Sequence, residues 1–341
     1  MATITDDKEE KTTAAIVVTY NRKKLLLECL AKIFAQDSSV ASVYIVDNAS
    51  TDGTASALTD SGFLDEVPSG DGVWVRPPRS EGRPSVNYFL SQRNCGGAWG
   101  FYLGLKAAYN DGHNYFWVMD DDTIAEVSTL SALLGALKLV PPSTDVGFLC
   151  SKVLWMGTEV HRMNIPAIST FVDNLPFNSY DHLGLFPVSS CSFVSVLITR
   201  KALTACGLPI KEFFIWGDDT EYTERIVSHG FKGLYVPASV VRHATAKNHF
   251  VDILSDSGDN AWKYLYGIRN NLYLRRRAGN KKFLKAVLKQ LLRQNLKIMM
   301  QRKNKRLRFM LINTRASVNA LFFKPAVTLQ WSTEEIDQST L

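Results

Sequence analysis

Three short apolar runs, rich in β-branched and aromatic residues, each stop on a polar group. Residues 14–20 (AAIVVTY) lead into Asn21-Arg22, residues 43–46 (VYIV) end at Asp47, and residues 115–119 (YFWVM) run into Asp120-Asp121-Asp122. A helical pattern carried by Leu25, Leu26, Leu30 and Phe34 follows the first run. A second helix is expected after the loop 48–54, and a third over 98–110 after the Gly96-Gly97 turn. Strands without polar alternation, separated by helices, need cover on both faces. That prescribes an α/β fold with a mostly parallel, doubly wound sheet. In such sheets ligands sit beyond the carboxyl ends of the strands. Thr19, Asp47 and Asp120 all fall there, so topology alone places a site at this edge.

Residues 65–86, rich in Gly, Pro and charge, read as an irregular surface segment. Further on, 193–198 and 234–241 are expected strands, and 220–229 a helix closed by Gly230. Segments 262–277 and 283–300 are expected helices, and the polar tail after Trp331 is expected to fray. With 341 residues, 46% hydrophobic and 21% charged, the chain can bury one large domain plus an appendage. The five cysteines lie far apart without a CxxC pair, which excludes zinc-ribbon spacing and a disulfide framework and fits reduced cytosolic thiols. The polar, acidic N-terminus lacks the order of a signal peptide. The longest uncharged stretch, 186–199, falls short of the roughly 18 residues a membrane span needs. The expected location is therefore cytoplasmic. No GxGxxG follows the first strand, which argues against a nicotinamide dehydrogenase.

Three adjacent carboxylates repel one another, and their charge is costly unless a cation neutralises it. Carboxylates that meet nucleotide phosphates suit Mn2+ or Mg2+. In an extended chain Asp120 and Asp122 share one side and Asp121 faces the other, so the first two form the metal pair. The competing reading is a solvated acidic turn that caps a helix. Residues 213–222 (FFIWGDDTEY) bring Asp218, Asp219 and Glu221 to a helix start beside Trp216. Capping accounts for one acid there, not three. A carboxylate in an aromatic pocket has its pKa tuned for proton transfer. His243 ends the strand 234–241, and the residues alone leave its role open between structure and metal ligand.

Six segments occur in the order VVTYNR (17–22), VDNASTDGT (46–54), RNCGGAWGF (93–101), FWVMDDD (116–122), FFIWGDDTEY (213–222) and VPASVVRH (236–243). The series resembles that of family 2 glycosyltransferases. With YLYGIRNNLYLRRR (264–277) it looks most like the bacterial galactofuranosyltransferases. The resemblance implies a GT-A fold: a catalytic domain over 1–250, with a nucleotide-sugar half at 14–125 and an acceptor half at 126–250, then a basic helical extension over 251–341. It implies that Thr19, Asn21 and Asp47 hold the nucleoside, with Asp47 pairing to a uracil ring. It puts Arg22, Arg93, Asn94, Asp121 and Trp216 near the nucleotide sugar. It makes Asp120, Asp122 and His243 the ligands of Mn2+ or Mg2+, and Asp219 the catalytic base, flanked by Asp218 and Glu221. Trp99 departs from the frequent Gly of this group, and Ala246, Ser189, Ser190 and Ser192 stand where some members carry Trp, which leaves the acceptor open.

The implied activity is inverting transfer of galactofuranose from its UDP donor to a hydroxyl of a cell-surface glycan or lipid-linked acceptor. The near alternative is a rhamnosyltransferase using dTDP-rhamnose. An inactive scaffold of a membrane glycan-assembly complex is the rival of another class, and the intact acid set argues against it. The net charge of +6 conceals an asymmetry, because residues 275–308 hold 14 Lys and Arg and no acid. Lys281, Lys285, Lys289, Arg293 and Lys297 recur on one helical face, with Leu284, Val287, Leu288, Leu291, Leu292 and Leu296 on the other. That pattern is an interfacial helix, expected to bind anionic membrane peripherally at the inner face of the cell membrane. Packing of its apolar face on the catalytic domain is the main competing reading. Sparse aromatics between Phe283 and Phe309 argue against nucleic acid.

Overall fold

Every residue of strand β1 (Thr13–Thr19) is buried, which is why its sequence carries no polar alternation. The structure, a computed structural model, describes residues 11–329 apart from 69, 71, 81, 169, 173 and 249; the tail after Trp331 lies outside these. After β1 come α1 (Lys23–Phe34), β2 (Ser42–Asp47), α2 (Thr54–Asp60), β3 (Gly72–Arg76), β4 (Ser85–Leu90), α3 (Gly97–Asn110), β5 (Tyr115–Asp120), β6 (Thr123–Ala125), α4 (Thr129–Leu139) and β7 (Val146–Leu154). A small hairpin, β8 (Phe171–Val172) with β9 (Leu175–Pro176), precedes β10 (Phe186–Val188), β11 (Val196–Thr199), α5 (Arg200–Cys206), α6 (Asp218–Ser228) and β12 (Lys232–His243). The C-terminal part is helical: α7 (Lys263–Arg276), α8 (Asn280–Lys289), α9 (Asn295–Gln301) and α10 (Arg306–Phe322).

Ten strands form one sheet in the order β10-β12-β7-β11-β5-β1-β2-β4-β3, with β6 on β12. Strands β4, β2, β1, β5, β7 and β12 point the same way, and β3, β6, β10 and β11 run against them. Thr19 is level with Asp47, and Val18 with Asp120, so three polar strand ends meet at one edge. Side chains of β1 alternate between two cores. Ile16 and Val18 pack on one face with Trp99 and Leu103 of α3, while Ala15 and Val17 pack on the other with Leu26 and Leu30 of α1.

Two expectations need correction. The segment 65–86 is not wholly irregular: it holds the edge strand β3 and the start of β4, which pairs with β2. Trp74 lies 6.1 Å from Tyr88 across that pair, a contact hidden in a Gly- and Pro-rich sequence. The expected helix 283–300 is split by a π-helical turn at Gln290–Gln294. Its apolar residues also divide. Phe283, Val287 and Ile298 are buried, whereas Leu284, Leu288, Leu292 and Leu296 are each more than half exposed. Helix α10, which no motif announced, packs Phe309 against Tyr264 of α7. Among the described residues no helix is long and apolar enough to cross a membrane.

Candidate active site

The acid run follows β5 where the chain turns into β6, and this turn lets Asp121 and Asp122 share Arg22. Asp121 turns toward β1, where its carboxylate accepts from Thr19 Oγ1 at 2.7 Å and pairs with Arg22 at 3.1 Å. Asp122 pairs with Arg22 at 2.7 Å through Oδ2. One ligand atom from each of Asp120, Asp122 and His243 falls within 4.8 Å of the others. Burial, with Asp122 next in weight, pushes the Asp120 carboxyl up to about 7. Burial pushes Asp121 up to about 6 against the opposing charge of Arg22. Burial acts on Asp122 too, but His243 and Arg22 outweigh it and hold that carboxyl below the usual range.

The partners of His243 fit a cation. Its Nδ1 lies 2.8 Å from Asn164 Oδ1, while Asn164 Nδ2 lies 2.7 Å from Ser192 Oγ, a hydroxyl that can accept from it in this amide orientation. Nδ1 then carries the proton and Nε2 presents a lone pair. That lone pair faces Asp122 Oδ1 at 3.0 Å, and this oxygen is buried without a hydrogen bond. Two acceptors in such contact need a proton or a metal ion between them. The separation is that of two ligands at right angles around an ion with bonds of about 2.1 Å. Two carboxylates with one imidazole suit Mn2+ and, less well, Mg2+. Asn164 was not legible in the sequence because it comes from a short 3-10 turn, Arg162–Asn164, that carries no motif.

Across this edge the chain enters α6 through a strained loop. Phe214 and Trp216 have φ of 66° and 65°, a region that bulky residues avoid, and Gly217 follows at 88°. Helix α7 holds the loop in place. Asn270, fully buried, donates Nδ2 to the carbonyls of Phe213, Ile215 and Trp216 at 3.0, 3.2 and 2.8 Å. A Cβ on Gly267 would come within 2.7 Å of the Trp216 ring, and one on Gly96 within 2.3 Å of Phe214 O. The glycine of the RNCGG turn and the glycine of α7 thus brace the same loop from two sides. Replacing Asn270 with Ala is expected to lower kcat by about 100-fold, the loss a roughly 1 Å misplacement causes. UDP affinity should stay within a few-fold. Steady-state kinetics beside UDP calorimetry checks this, and wild-type turnover would show that other contacts suffice.

The loop delivers Asp218 and Asp219 to the first turn of α6. Asp219 Oδ1 accepts from Thr220 N at 2.6 Å, yet burial still raises its carboxyl above the usual range. Burial, and then the neighbouring Asp219 charge, raise Asp218 further, and Asp120 adds to the effect. Glu221, expected to flank the base, is a correction. Its carboxylate takes two bonds of 3.0 Å from Arg225 and a further one from Arg277, so it anchors α6 to neighbouring structure. Arg225 in turn donates to the carbonyls of Cys206 and Leu208.

The residues expected to hold the nucleoside form a bracket between two loops. Asn21 Oδ1 accepts from Thr51 N at 2.7 Å, and Asn21 N donates to Ser50 Oγ at 2.8 Å. Asp47 is 1% exposed, and its two oxygens accept from Ser50 N and Tyr88 Oη, both at 2.7 Å. The carboxylate expected to meet a uracil is therefore engaged in holding the 48–53 loop. Asn94 Oδ1 accepts from Gly96 N at 2.8 Å and shapes the turn into α3, while Arg93 is exposed at its rim. Trp99, the departure noted above, is buried in the core beneath this turn.

A doubly wound sheet whose strand ends gather an Asp-Asp-His cluster, across from the buried Asp218 and the half-buried Asp219, has the GT-A fold. The chain belongs to the glycosyltransferase-like family 2, which it matches over residues 11–255. It is similar to the galactofuranosyltransferase GlfT1 of Mycolicibacterium smegmatis, at 27% identity over 283 residues that cover 79% of this chain and 85% of the relative. The GlfT1 of Mycobacterium tuberculosis H37Rv is 26% identical over 282 residues, covering 79% and 84%. Among solved structures, GalNAc-T7 with UDP, GalNAc and Mn2+ superposes with a TM-score of 0.58 at 13% identity. The match covers 98% of this chain and 58% of that one, a likeness of fold.

Proposed function

We propose that this chain is an inverting, metal-dependent hexosyltransferase that moves galactofuranose from UDP-galactofuranose onto a hydroxyl of a growing glycan or lipid-linked acceptor. The observation that carries the reading is the pairing of the Asp120-Asp122-His243 cluster with Asp218 and Asp219 on a clamped loop. A divalent cation held by those three ligands would supply neutralising charge for the departing diphosphate. Asp219 accepts the proton of the acceptor hydroxyl as that oxygen attacks the anomeric carbon and the bond to UDP breaks. Asp218, buried beside it, keeps the pair's proton affinity high. Trp216 walls off water, which would otherwise compete as acceptor. Thr19 and Arg22 hold Asp121, and the 48–53 loop receives the nucleoside.

The donor assignment is supported by the two GlfT1 relatives. A transfer and donor-hydrolysis screen across UDP and dTDP sugars tests it, with UDP-galactofuranose expected to turn over at least tenfold faster than its pyranose isomer or dTDP-rhamnose. Preferred use of dTDP-rhamnose would reassign the sugar and leave the site chemistry standing.

The same reading places the enzyme on anionic membrane at the inner face of the cell membrane. Its support is the exposed row Leu284, Leu288, Leu292 and Leu296 beside the exposed Lys285, Lys289, Arg293 and Lys297. Each cation near an anionic leaflet contributes about 1 kcal/mol, and the leucines add apolar burial. Vesicle co-sedimentation at low salt should retain the full chain, and Leu288→Glu with Leu292→Glu should release it. Equal pelleting of both would leave this face as ordinary surface.

A further inference from the structure

Helices α7 and α8 diverge past their contact at Leu272, Phe283 and Val287, and open a groove that runs along the π-helical turn into α9. The groove encloses about 810 Å³. Arg275, Lys282, Lys285, Lys289, Arg293 and Lys297 line it, and none has an ion-pair partner among the described residues. No acid occurs anywhere in 275–308, and Glu224 of α6 offsets only Arg275 among them. Ile268, Leu272 and Ala286 supply an apolar floor, and Asn271 and Gln294 add amide groups. Six cations line one concavity, and a multiply charged anion complements them. Just outside the cationic row, one residue earlier in each turn, runs the exposed row Leu284, Leu288, Leu292 and Leu296. An apolar surface bordering an anion groove matches an amphiphile, not a free anion.

We propose that this groove is a discrete binding site for the phosphate or diphosphate head group of a single lipid molecule, with the lipid chain lying against the leucine row. The proposal rests on the membrane reading above and deepens it: diffuse attraction to a charged surface becomes recognition of one head group. Helix α7 joins this site to the catalytic loop. Gly267 packs on Trp216, and Arg275 reaches the groove eight residues further along, roughly 12 Å at the rise of an α-helix. A lipid-linked acceptor held by its phosphate would thus have its glycan within reach of the site that Trp216 walls.

The test uses the full chain in EDTA, where the acid cluster repels anions. Calorimetry with inorganic pyrophosphate should give saturable one-to-one binding, weakened at least tenfold by Lys285→Ala with Arg293→Ala. Lys281→Ala, on the same helix but outside the groove, should leave it unchanged. Neutral vesicles carrying phosphatidate, a phosphomonoester, should retain the protein at least fivefold better than vesicles of equal charge carrying phosphatidylserine. The double variant should erase that difference. Equal retention on both vesicles would overturn the head-group site and leave general membrane attraction intact. Pyrophosphate binding without preference for phosphatidate would overturn the lipid, and tighter binding of an oligonucleotide than of phosphatidate vesicles would do the same. Loss on Lys281→Ala equal to that of the double variant would reduce the groove to surface charge.

Discussion

Replacing Asp219 with Asn is expected to lower kcat by about 10²–10⁴-fold, the range general base catalysis contributes, while UDP and metal affinity stay within a few-fold. The substitution removes a proton acceptor and keeps shape and volume, so the loss falls on the step and not on donor binding. Burial raises the carboxyl of Asp219, so its basic form prevails only above a pKa higher than that of an ordinary carboxylate. The acid limb of kcat/KM therefore lies above the ordinary carboxylate range, and it disappears in the variant. Asp218→Asn is the control. It sits one residue away on the same turn, and its pKa is raised by burial, by Asp219 and by Asp120. An inactive Asp218→Asn together with an active Asp219→Asn would move the base by one residue. Rate and pH profiles of both variants, with UDP calorimetry, decide the matter.

Replacing Asp122 with Ala is expected to reduce turnover by at least about 10³-fold and to abolish stabilisation by Mn2+. In the parent protein, cation at 100 times its Kd adds about 2.7 kcal/mol of stability, which a thermal shift assay reads directly. The variant loses the buried oxygen that faces His243 Nε2 at 3.0 Å, so the shift should vanish. The pH dependence has a definite sign. Although burial opposes it, Asp122 raises the His243 pKa, so a proton competes with the cation as pH falls. Asp120 and His243 both have folded values above their unfolded ones. The metal-free protein therefore loses stability as pH rises through those values, and the cation reverses the loss. Full activity of the parent in EDTA, or an unchanged Mn2+ shift in Asp122→Ala, would remove the metal site.

What was legible in the sequence was whatever a strand end announces. An apolar run broken by Asp47 or by Asp120-Asp121-Asp122 fixes both an element and the edge where it stops. Alternation set Asp121 apart from Asp120 and Asp122, but the chain turns there and Asp121 and Asp122 share Arg22. Glu221 was misread because a count of acids cannot tell which side of a helix faces the cleft. Its partners Arg225 and Arg277 lie four and 56 residues away. Asn270 escaped for a different reason: it recognises three carbonyls, and backbone groups leave no trace in a sequence. The leucines of 283–300 were read as one face, but a helix that packs on two neighbours divides its apolar residues between core and surface.

The clamp by Asn270 also sets the order in which this enzyme becomes competent. During synthesis the strands with Thr19, Asp47 and Asp120 leave the ribosome first, and the Asp218-Asp219 turn follows. The amide that fixes that turn is encoded 54 residues after Trp216. Until α7 emerges, the loop before Asp218 lacks the amide that holds its carbonyls. The strand-end carboxylates are thus synthesised before the amide that clamps the loop across from them, and on the proposed reading the site is completed only with the C-terminal helices.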